Sequence, residues 1–263
     1  MDLQLTKKIA LVTGSTAGIG NVIAASLARE GATVILNGRT AGAVDAAVAA
    51  MKGETHGDVT GFAGDLSVAA VAGSLFQRHP AVDILVNNLG IFEVRPFEEI
   101  SDADWQRFFD VNVLSGARLS RLYLPSMRKR NWGRIIFISS ESAYHIPAEM
   151  IHYGMTKAAQ IAVARGLAET TAGTGITVNS VLPGPTRSRG VGDFVAAMAA
   201  KSGQSAQTVE KEFFKTARPT SLLQRFATPE EVAAMVAYVA SPLSSATNGA
   251  ALRVDGGTIK SAF

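Results

Sequence analysis

The sequence predicts a three-layer α/β/α fold in which a doubly wound parallel sheet of about seven strands carries helices on both faces. Short apolar, β-branched runs recur along the chain, and most are separated by stretches long enough to hold a helix. The runs are apolar almost throughout, as is typical of strands that are covered on both faces of a sheet. The predicted strands are 9–13, 33–36, 59–63, 84–87, 134–139, 177–182 and 251–254.

Capping residues predict where several of the intervening helices begin and end. Thr228 is followed by a proline and, three residues on, by Glu231, which is the pattern of a capping box. Ser67 and Ser101 precede two further predicted helices. Gly31 is placed to end the first long helix, so the first β–α–β unit spans about 8–36.

Composition excludes several classes of protein. The 263 residues include no cysteine, which excludes a disulfide scaffold, a thiol nucleophile, an iron–sulfur cluster and a cysteine zinc site. The 25 lysines and arginines and 22 aspartates and glutamates are scattered along the chain, so we expect no nucleic-acid partner. No stretch approaches about 18 uninterrupted apolar residues and the start lacks a signal-peptide core, so we expect no membrane partner and a cytoplasmic location.

The chain shows no internal repeat and no linker that would divide it. We therefore expect a single domain over 1–263, with a nucleotide-binding half at 1–131 and a catalytic and substrate half at 132–263. The least regular segment, at about 185–223, holds two amphipathic stretches interrupted by Gly203. A long excursion of this kind between two strands often forms a functional lid.

A glycine-rich turn follows the first predicted strand and opens a helix. The N-terminus of a helix offers unpaired N–H groups and about half a positive charge, and glycines let backbone amides approach a pyrophosphate. This context predicts a dinucleotide site; the alternative is that the glycines only shape a tight turn. The turn reads Thr13-Gly14-Ser15-Thr16-Ala17-Gly18-Ile19-Gly20.

The end of the second predicted strand indicates which dinucleotide is bound. An acidic residue at this point would bind the ribose 2′-hydroxyl of NAD, but the sequence has none. Arg39 and Thr40 are placed instead to meet a 2′-phosphate, with Gly38 leaving room. We therefore expect NADP, with NAD possible; the alternative is that Arg39 is a solvated loop charge.

Tyr153 and Lys157 are four residues apart in a predicted helix, so they share one face at a rise of about 6 Å. Tyrosine, with an ordinary pKa of about 10, is a poor acid or base near neutrality, and a nearby ammonium favours its anion. Lowering this pKa by about three units requires about 4 kcal/mol, which Lys157 and a cationic nicotinamide ring could supply together. Ser140 ends an apolar strand, where its hydroxyl could bond a substrate carbonyl or merely cap the strand.

Taken together, these residues resemble the short-chain dehydrogenase/reductase family, in its single-domain branch with a Tyr-x-x-x-Lys motif. The resemblance covers nearly the whole chain and implies a Rossmann-type sheet. The matching motifs are Thr13-Gly14-x-x-x-Gly18-Ile19-Gly20, Asp65-Leu66, Asn87-Asn88-Leu89-Gly90, Asn112, Ser140, Tyr153-x-x-x-Lys157, Pro183-Gly184 and Asp255-Gly256-Gly257.

The resemblance implies a catalytic tetrad of Asn112, Ser140, Tyr153 and Lys157. Tyr153 would be the general acid in carbonyl reduction and the base in alcohol oxidation. Lys157 would bind the nicotinamide ribose and lower the pKa of the tyrosine. Ser140 would orient the carbonyl, and Asn112 would hold a water that relays protons.

The resemblance also implies further cofactor contacts. Asp65 and Leu66 would lie near the adenine, and Asn88, Leu89 and Gly90 beside the adenine ribose. Two positions depart from the family pattern, since Leu89 replaces an alanine and Ser188 a threonine. The residues expected on the nicotinamide side are Pro183, Gly184, Thr186 and Ser188.

The predicted function is an NADP-dependent oxidoreductase that interconverts a small carbonyl compound and an alcohol. A 3-oxoacyl-thioester reductase and a catalytically idle dinucleotide-binding regulator or scaffold are the alternatives. The resemblance further suggests a homotetramer, or a homodimer, joined partly through the long helices that begin near Asp102 and His152 and near the stretch 250–263.

The remaining candidates are histidines and apolar side chains. The four histidines form no metal-binding spacing, so we expect no metal; His56 and His79 are predicted to be solvated, and His145 or His152 could either contact substrate or pack. Apolar candidates for a substrate pocket, with core packing as the alternative, are Phe92, Tyr144, Ile146, Met150, Phe194 and Met198.

Overall fold

The computed structural model of the protein describes residues 2–55 and 57–262, without the side chains of 189, 190, 193–195, 197 and 201. His56 and the side chain of Phe194 therefore lie outside the described residues. The strands are β1 (Ile9–Val12), β2 (Thr33–Gly38), β3 (Val59–Ala63), β4 (Ile84–Asn87), β5 (Gly133–Ile138), β6 (Ile176–Pro183) and β7 (Ala251–Val254).

Helices fill the connections between successive strands. A π-helical turn at Asp110–Leu114 joins two of them, and single turns of 3-10 helix lie at Glu141–Ala143 and Ala148–Met150. The α-helices are α1 (Gly18–Arg29), α2 (Ala41–Glu54), α3 (Ala69–Arg78), α4 (Asp102–Phe109), α5 (Ser115–Arg130), α6 (Ile151–Glu169), α7 (Arg189–Ser202), α8 (Ala206–Thr216) and α9 (Pro229–Ala240).

Within the described residues, seven strands form one sheet in the order β3-β2-β1-β4-β5-β6-β7, and all neighbours are parallel. The chain builds outward from β1 to β3 and then crosses to β4 on the other side. Between β1 and β4 the connections therefore leave in opposite directions, and this reversal opens a crevice at the carboxyl ends of the strands. The predicted three-layer α/β/α fold is confirmed.

Each face of the sheet packs against its own helical layer. Val12 of β1 lies in one apolar cluster with Ile23 of α1 and Val236 of α9. Leu11, its neighbour in the strand, belongs to a second cluster with Leu119 of α5. The alternation arises because successive strand residues point to opposite faces.

Most of the predicted helix boundaries are confirmed. Ser101 and Thr228 form capping boxes at the starts of α4 and α9, and Gly31, at φ 87°, ends α1 in the left-handed conformation that glycine tolerates. Ser67 does not cap α3, which begins at Ala69. Its hydroxyl and N–H donate to Asp65 instead, since a short Asx turn competes for the same groups.

The segment predicted as a lid contains α7 and α8, with Gly203 in the left-handed conformation between them. Val209 and Phe214 of α8 pack against Phe226 and anchor this segment to the start of α9. Thr186 pairs with Ala227 in an isolated parallel bridge, which ties the two ends of the excursion together. No helix in the described part of the chain is both long and apolar enough to cross a membrane.

Candidate active site

A cavity of about 320 Å³ opens at the carboxyl ends of β4, β5 and β6. It brings together predicted residues from distant parts of the chain, because parallel strands all end at this edge of the sheet. The predicted site residues in its wall are Ile19, Asn88, Gly90, Ser140, Tyr153, Lys157, Pro183, Gly184, Thr186 and Ser188.

The other predicted residues surround this cavity without lining it. Asn112 is buried behind the wall at 1% exposure. Arg39 and Thr40 follow β2, and Asp65 and Leu66 follow β3, so these four lie at the edge of the sheet beyond β1. The remaining predicted residues lie between the cavity and this edge, in the glycine turn and just after β4. They are Gly14, Ser15, Thr16, Gly18, Gly20 and Leu89.

The glycine turn is locked by Asn37, a buried residue of β2 that sequence reasoning missed. Its Oδ1 accepts from the Gly14 N–H at 3.1 Å, and its backbone oxygen accepts from the Ser15 N–H at 2.8 Å. The Ser15 hydroxyl donates to the Val12 carbonyl at 2.7 Å and accepts from the Asn37 N–H at 2.9 Å. Ser15 thus holds the turn in shape, and the N–H groups at the start of α1 are the ones left for a ligand.

Asn88 closes the same turn from the β4 side. Its side-chain amide donates to the carbonyls of Thr13 and Gly14 at 2.9 and 3.0 Å. The Thr13 hydroxyl in turn accepts from the N–H groups of Asn88 and Leu89. A Cβ on Gly20 would lie 2.4 Å from the Asn88 amide nitrogen, so only glycine permits this close approach.

Arg39 is exposed and forms no hydrogen bond or ion pair with any other described residue. It lies beside the N-terminus of α2, where Thr40 caps the helix by accepting from the Ala43 N–H at 3.4 Å. An unpaired guanidinium next to a helix N-terminus is a suitable environment for a phosphate.

Lys157 is 5% exposed, and its ammonium is held from two sides. Nζ donates to the Ile138 carbonyl at the end of β5 at 2.8 Å and to Gln160 Oε1 at 3.2 Å. It lies 5.5 Å from the centre of the Tyr153 ring. Burial lowers the pKa of Lys157 to about 8, and the Glu141 carboxylate opposes this shift.

The phenol of Tyr153 is a weaker acid here than in water. Burial raises its pKa, and the negative charge of Glu141 raises it further. A hydrogen bond with the Ser140 hydroxyl and the positive charge of Arg218 act in the opposite direction. In the protein alone, the environment therefore keeps this hydroxyl protonated.

The π-helical turn places Asn112 against α6. Its side-chain amide donates to the Thr156 hydroxyl at 2.9 Å, and its Oδ1 accepts from the Ile91 N–H at 2.8 Å. Its backbone oxygen accepts from Gln160 Nε2 at 2.6 Å. Gln160 thereby links Lys157 to the backbone of Asn112 by direct hydrogen bonds.

Ser140 is engaged with the next residue in the chain. Its hydroxyl donates to Glu141 Oε2 at 2.6 Å and accepts from the Ser142 N–H at 3.1 Å. Glu141 Oε1 accepts from Arg218 Nε at 3.0 Å, and both charged side chains face the cavity. A buried ion pair therefore adjoins the hydroxyl groups of Ser140 and Tyr153.

Sequence reasoning missed Gln160, Glu141 and Arg218. Gln160 could have been found, since it follows Lys157 by three residues and shares its helix face. Glu141 follows Ser140 directly, but its burial could not be foreseen. Arg218 lies 77 residues from Glu141, and no local pattern signals that pairing.

Most of the histidine and apolar candidates lie outside the cavity. His152 is fully buried against Phe108, with ring centres 4.0 Å apart, while His145 is exposed and does not line the cavity. The prediction that His79 is solvated is wrong: the residue is half-buried, and its Nε2 is shielded from solvent without a hydrogen-bond partner among the described residues. Of the apolar candidates with described side chains, Phe92 and Met150 line the cavity, whereas Tyr144, Ile146 and Met198 are exposed outside it.

Comparison with known proteins places this geometry in a family. A family model described as short chain dehydrogenase matches residues 8–199. An uncharacterized oxidoreductase of Bacillus subtilis, YvrD, is 48% identical over 99% of this chain and 100% of its own. D-beta-hydroxybutyrate dehydrogenase of Cupriavidus necator is 34% identical, with 97% of this chain and 99% of its own covered.

Solved structures show the same architecture. L-sorbose reductase of Gluconobacter frateurii, crystallised with NADPH and L-sorbose, superposes with a TM-score of 0.93 at 29% identity, covering 99% of this chain and 100% of that chain. Among the described residues, no group of three or more histidine, aspartate or glutamate side chains could hold a metal ion. The family match, the whole-length relatives and the shared fold establish that this chain is an oxidoreductase of the short-chain dehydrogenase/reductase family.

Proposed function

We propose that the protein is an NADP(H)-dependent oxidoreductase that interconverts a ketone or aldehyde with an alcohol. The observation that carries the proposal is that Tyr153, Ser140 and Lys157 face one cavity whose wall continues into Ile19 of the glycine turn. An acid, its orienting hydroxyl and a cation thus lie beside a nucleotide-binding turn, as hydride transfer to a carbonyl requires.

The shape of the cavity wall suits a nicotinamide dinucleotide. The N–H groups at the start of α1 would bind the pyrophosphate, and Arg39 with the N-terminus of α2 would bind the 2′-phosphate of NADP. A Cβ on Gly184 would lie 2.7 Å from the Asp255 backbone, so the chain passes close behind the proposed nicotinamide site. The bound nicotinamide supplies or accepts the hydride.

Three side chains would manage the proton. In the direction of reduction, the Tyr153 hydroxyl donates its proton to the carbonyl oxygen. The Lys157 ammonium stabilises the phenolate that remains, and Gln160 keeps that ammonium at the end of β5. The Ser140 hydroxyl, whose interaction with the phenol lowers the pKa of Tyr153, orients the reacting oxygen.

The cellular location and the oligomeric state of the enzyme are two further expectations. The cytoplasmic location stays a prediction from the sequence. For the homotetramer, or homodimer, the groove between α5 and α6 provides a partly apolar surface that includes Leu124, Val163 and Leu167. Leu124 is buried, but Val163 and Leu167 are partly exposed. We propose this surface as part of a subunit contact, because such apolar side chains favour association when a partner covers them.

Replacing Tyr153 tests the reaction directly. In a panel of carbonyl and alcohol substrates assayed with NADPH, NADH and their oxidised forms, the wild type should turn over at least one substrate. Tyr153→Phe should lower kcat by at least about a hundredfold, because the proton donor is lost. NADPH affinity, measured by fluorescence titration, should change little.

Tyr144→Phe is the matched control, since Tyr144 is 54% exposed and lies outside the cavity. It should retain wild-type kcat. A wild-type protein that binds NADPH but converts no substrate in the panel would contradict the proposal and support a binding role.

Arg39→Ala tests the cofactor preference. Loss of a charged hydrogen bond to phosphate costs about 1.5–3 kcal/mol, so the KM for NADPH should rise at least about tenfold. The KM for NADH should change less than about threefold, because NADH lacks the phosphate. Arg78→Ala, at the exposed end of α3, is the control; equal effects of Arg39→Ala on both cofactors would remove the basis for NADP preference.

Lys157→Met tests the buried ammonium through stability. Since folding lowers the pKa of Lys157 from 10.5 to about 8, the unfolded chain binds more protons between these pH values, and the stability of the wild type rises with pH there. Relative to Lys157→Met, the wild-type free energy of unfolding should increase by about 2 kcal/mol between roughly pH 8 and 10. Urea unfolding measures it, with Lys52→Met as the exposed control; a pH-independent difference would contradict the lowered pKa.

A further inference from the structure

The wall of the cavity on the substrate side is mostly apolar. Phe92, Val94 and Met150 contribute to it, as do Phe213 and Phe226. Such a wall favours a substrate with an apolar body over a fully hydroxylated one, because polar groups placed against it would lose their hydrogen bonds to water.

The buried ion pair interrupts this apolar wall next to the reacting groups. Glu141 and Arg218 are 4% and 8% exposed, and both line the cavity. Buried ion pairs are seldom more stabilising than apolar side chains of similar size, because desolvation offsets the attraction. Their position beside Ser140 therefore indicates a role toward a ligand.

The pair has unused hydrogen-bonding capacity. Arg218 Nε donates to Glu141, and Nη1 donates to the Ala217 carbonyl at 2.8 Å. Nη2 donates to no other residue in the part of the chain that the structure describes. Each oxygen of Glu141 accepts one side-chain hydrogen bond, although a carboxylate oxygen can accept two. Arg218 Nη2 can therefore donate, and the Glu141 carboxylate can accept, further hydrogen bonds at the same place.

The charges of the pair select the kind of group it can bind. Glu141 neutralises Arg218, and Glu149 adds a second negative charge to the cavity wall. A carboxylate on the substrate would add a third negative charge to a wall that already holds two acidic side chains. A neutral hydroxyl fits instead, since it can accept from Arg218 and donate to Glu141.

The hydrogen bond between Ser140 and Glu141 fixes where that hydroxyl would lie. Ser140 is placed to contact the reacting oxygen, and the Glu141 carboxylate lies 2.6 Å from the Ser140 hydroxyl. Resting on the proposed function, we infer that Glu141 and Arg218 form a subsite for a hydroxyl on the carbon next to the reacting carbonyl. The substrate class is then an α-hydroxy ketone with an apolar body, and the product is the vicinal diol.

Three matched ketones test this subsite: acetophenone, α-hydroxyacetophenone and phenylglyoxylate, which carry a methyl, a hydroxymethyl and a carboxylate group at the same position. With NADPH, kcat/KM of the wild type should be at least about tenfold higher for α-hydroxyacetophenone than for acetophenone. It should be lowest for phenylglyoxylate. Equal values for the hydroxylated and plain ketones, or a preference for the acid, would overturn the inference.

The double variant Glu141→Gln/Arg218→Met removes the pair without leaving a single buried charge. It should bring the ratio of the two kcat/KM values to within about threefold of one. The ratio is the readout, because Glu141 also contacts Ser140 and its loss changes the rate for both ketones. A pair that only held the lid in place would lower both activities equally and leave the ratio unchanged, which would contradict the inference. Arg225→Met, which removes an exposed arginine paired with Glu231, is the control and should keep the wild-type ratio.

A binding measurement separates this inference from the proposed reaction. Titration of Tyr153→Phe loaded with NADPH should give a Kd at least about tenfold lower for α-hydroxyacetophenone than for acetophenone. This preference without turnover by the wild type would support the subsite while contradicting the proposed function. Turnover without the preference in either assay would do the reverse.

Discussion

The proposed chemistry depends on one constraint, which is that a lysine ammonium must stay charged inside the protein beside a phenol. The direct partners of Lys157 Nζ are neutral groups, namely the Ile138 carbonyl and the Gln160 amide. They solvate the charge without neutralising it, so its field remains available to Tyr153. This arrangement costs free energy of folding, since burial disfavours the charged form of Lys157. A perturbed cation in a cavity at the carboxyl ends of the strands is typical of a functional site.

The rest of the architecture fixes groups around that charge. Asn37 and Asn88 lock the glycine turn from β2 and β4, so the start of α1 points into the crevice between β1 and β4. The π-helical turn brings Asn112 against α6, where Gln160 joins it to the lysine. On the other side of the phenol, Glu141 and Arg218 connect the end of β5 to the segment after α8. The segment 185–223 thus reaches the reacting groups through an ion pair as well as through apolar contacts.

Much of this could be predicted from the sequence, and what could not be has a common physical cause. Apolar runs and capping residues are local signals, and they predicted the parallel sheet and the start of α9. The four-residue spacing of Tyr153 and Lys157 is also local, and it predicted that the two side chains share one helix face. Contacts between residues far apart in the chain leave no local pattern, as the pairing of Glu141 with Arg218 shows. The hydrogen bonds between Asn37 and the glycine turn were not predicted, because nothing in the sequence distinguishes a buried asparagine in a strand from an exposed one. The raised pKa of Tyr153 was also unforeseen, since it arises from burial and from Glu141, whereas the sequence indicated only a lowering by Lys157 and a cationic nicotinamide ring.

The raised pKa makes the role of the lysine measurable, because positive charge beside the phenol, from Lys157 and from a cationic nicotinamide ring, must lower this pKa for the reaction. Nuclear magnetic resonance of isotope-labelled tyrosine ring carbons, with Tyr153→Phe used for assignment, gives the pKa of Tyr153 with and without NADP⁺. The account predicts that saturating NADP⁺ lowers this pKa substantially in the wild type. In Lys157→Met with saturating NADP⁺, the pKa of Tyr153 should remain well above its value in the wild type. Equal values in the two proteins would show that the ammonium does not acidify the phenol and would contradict the account.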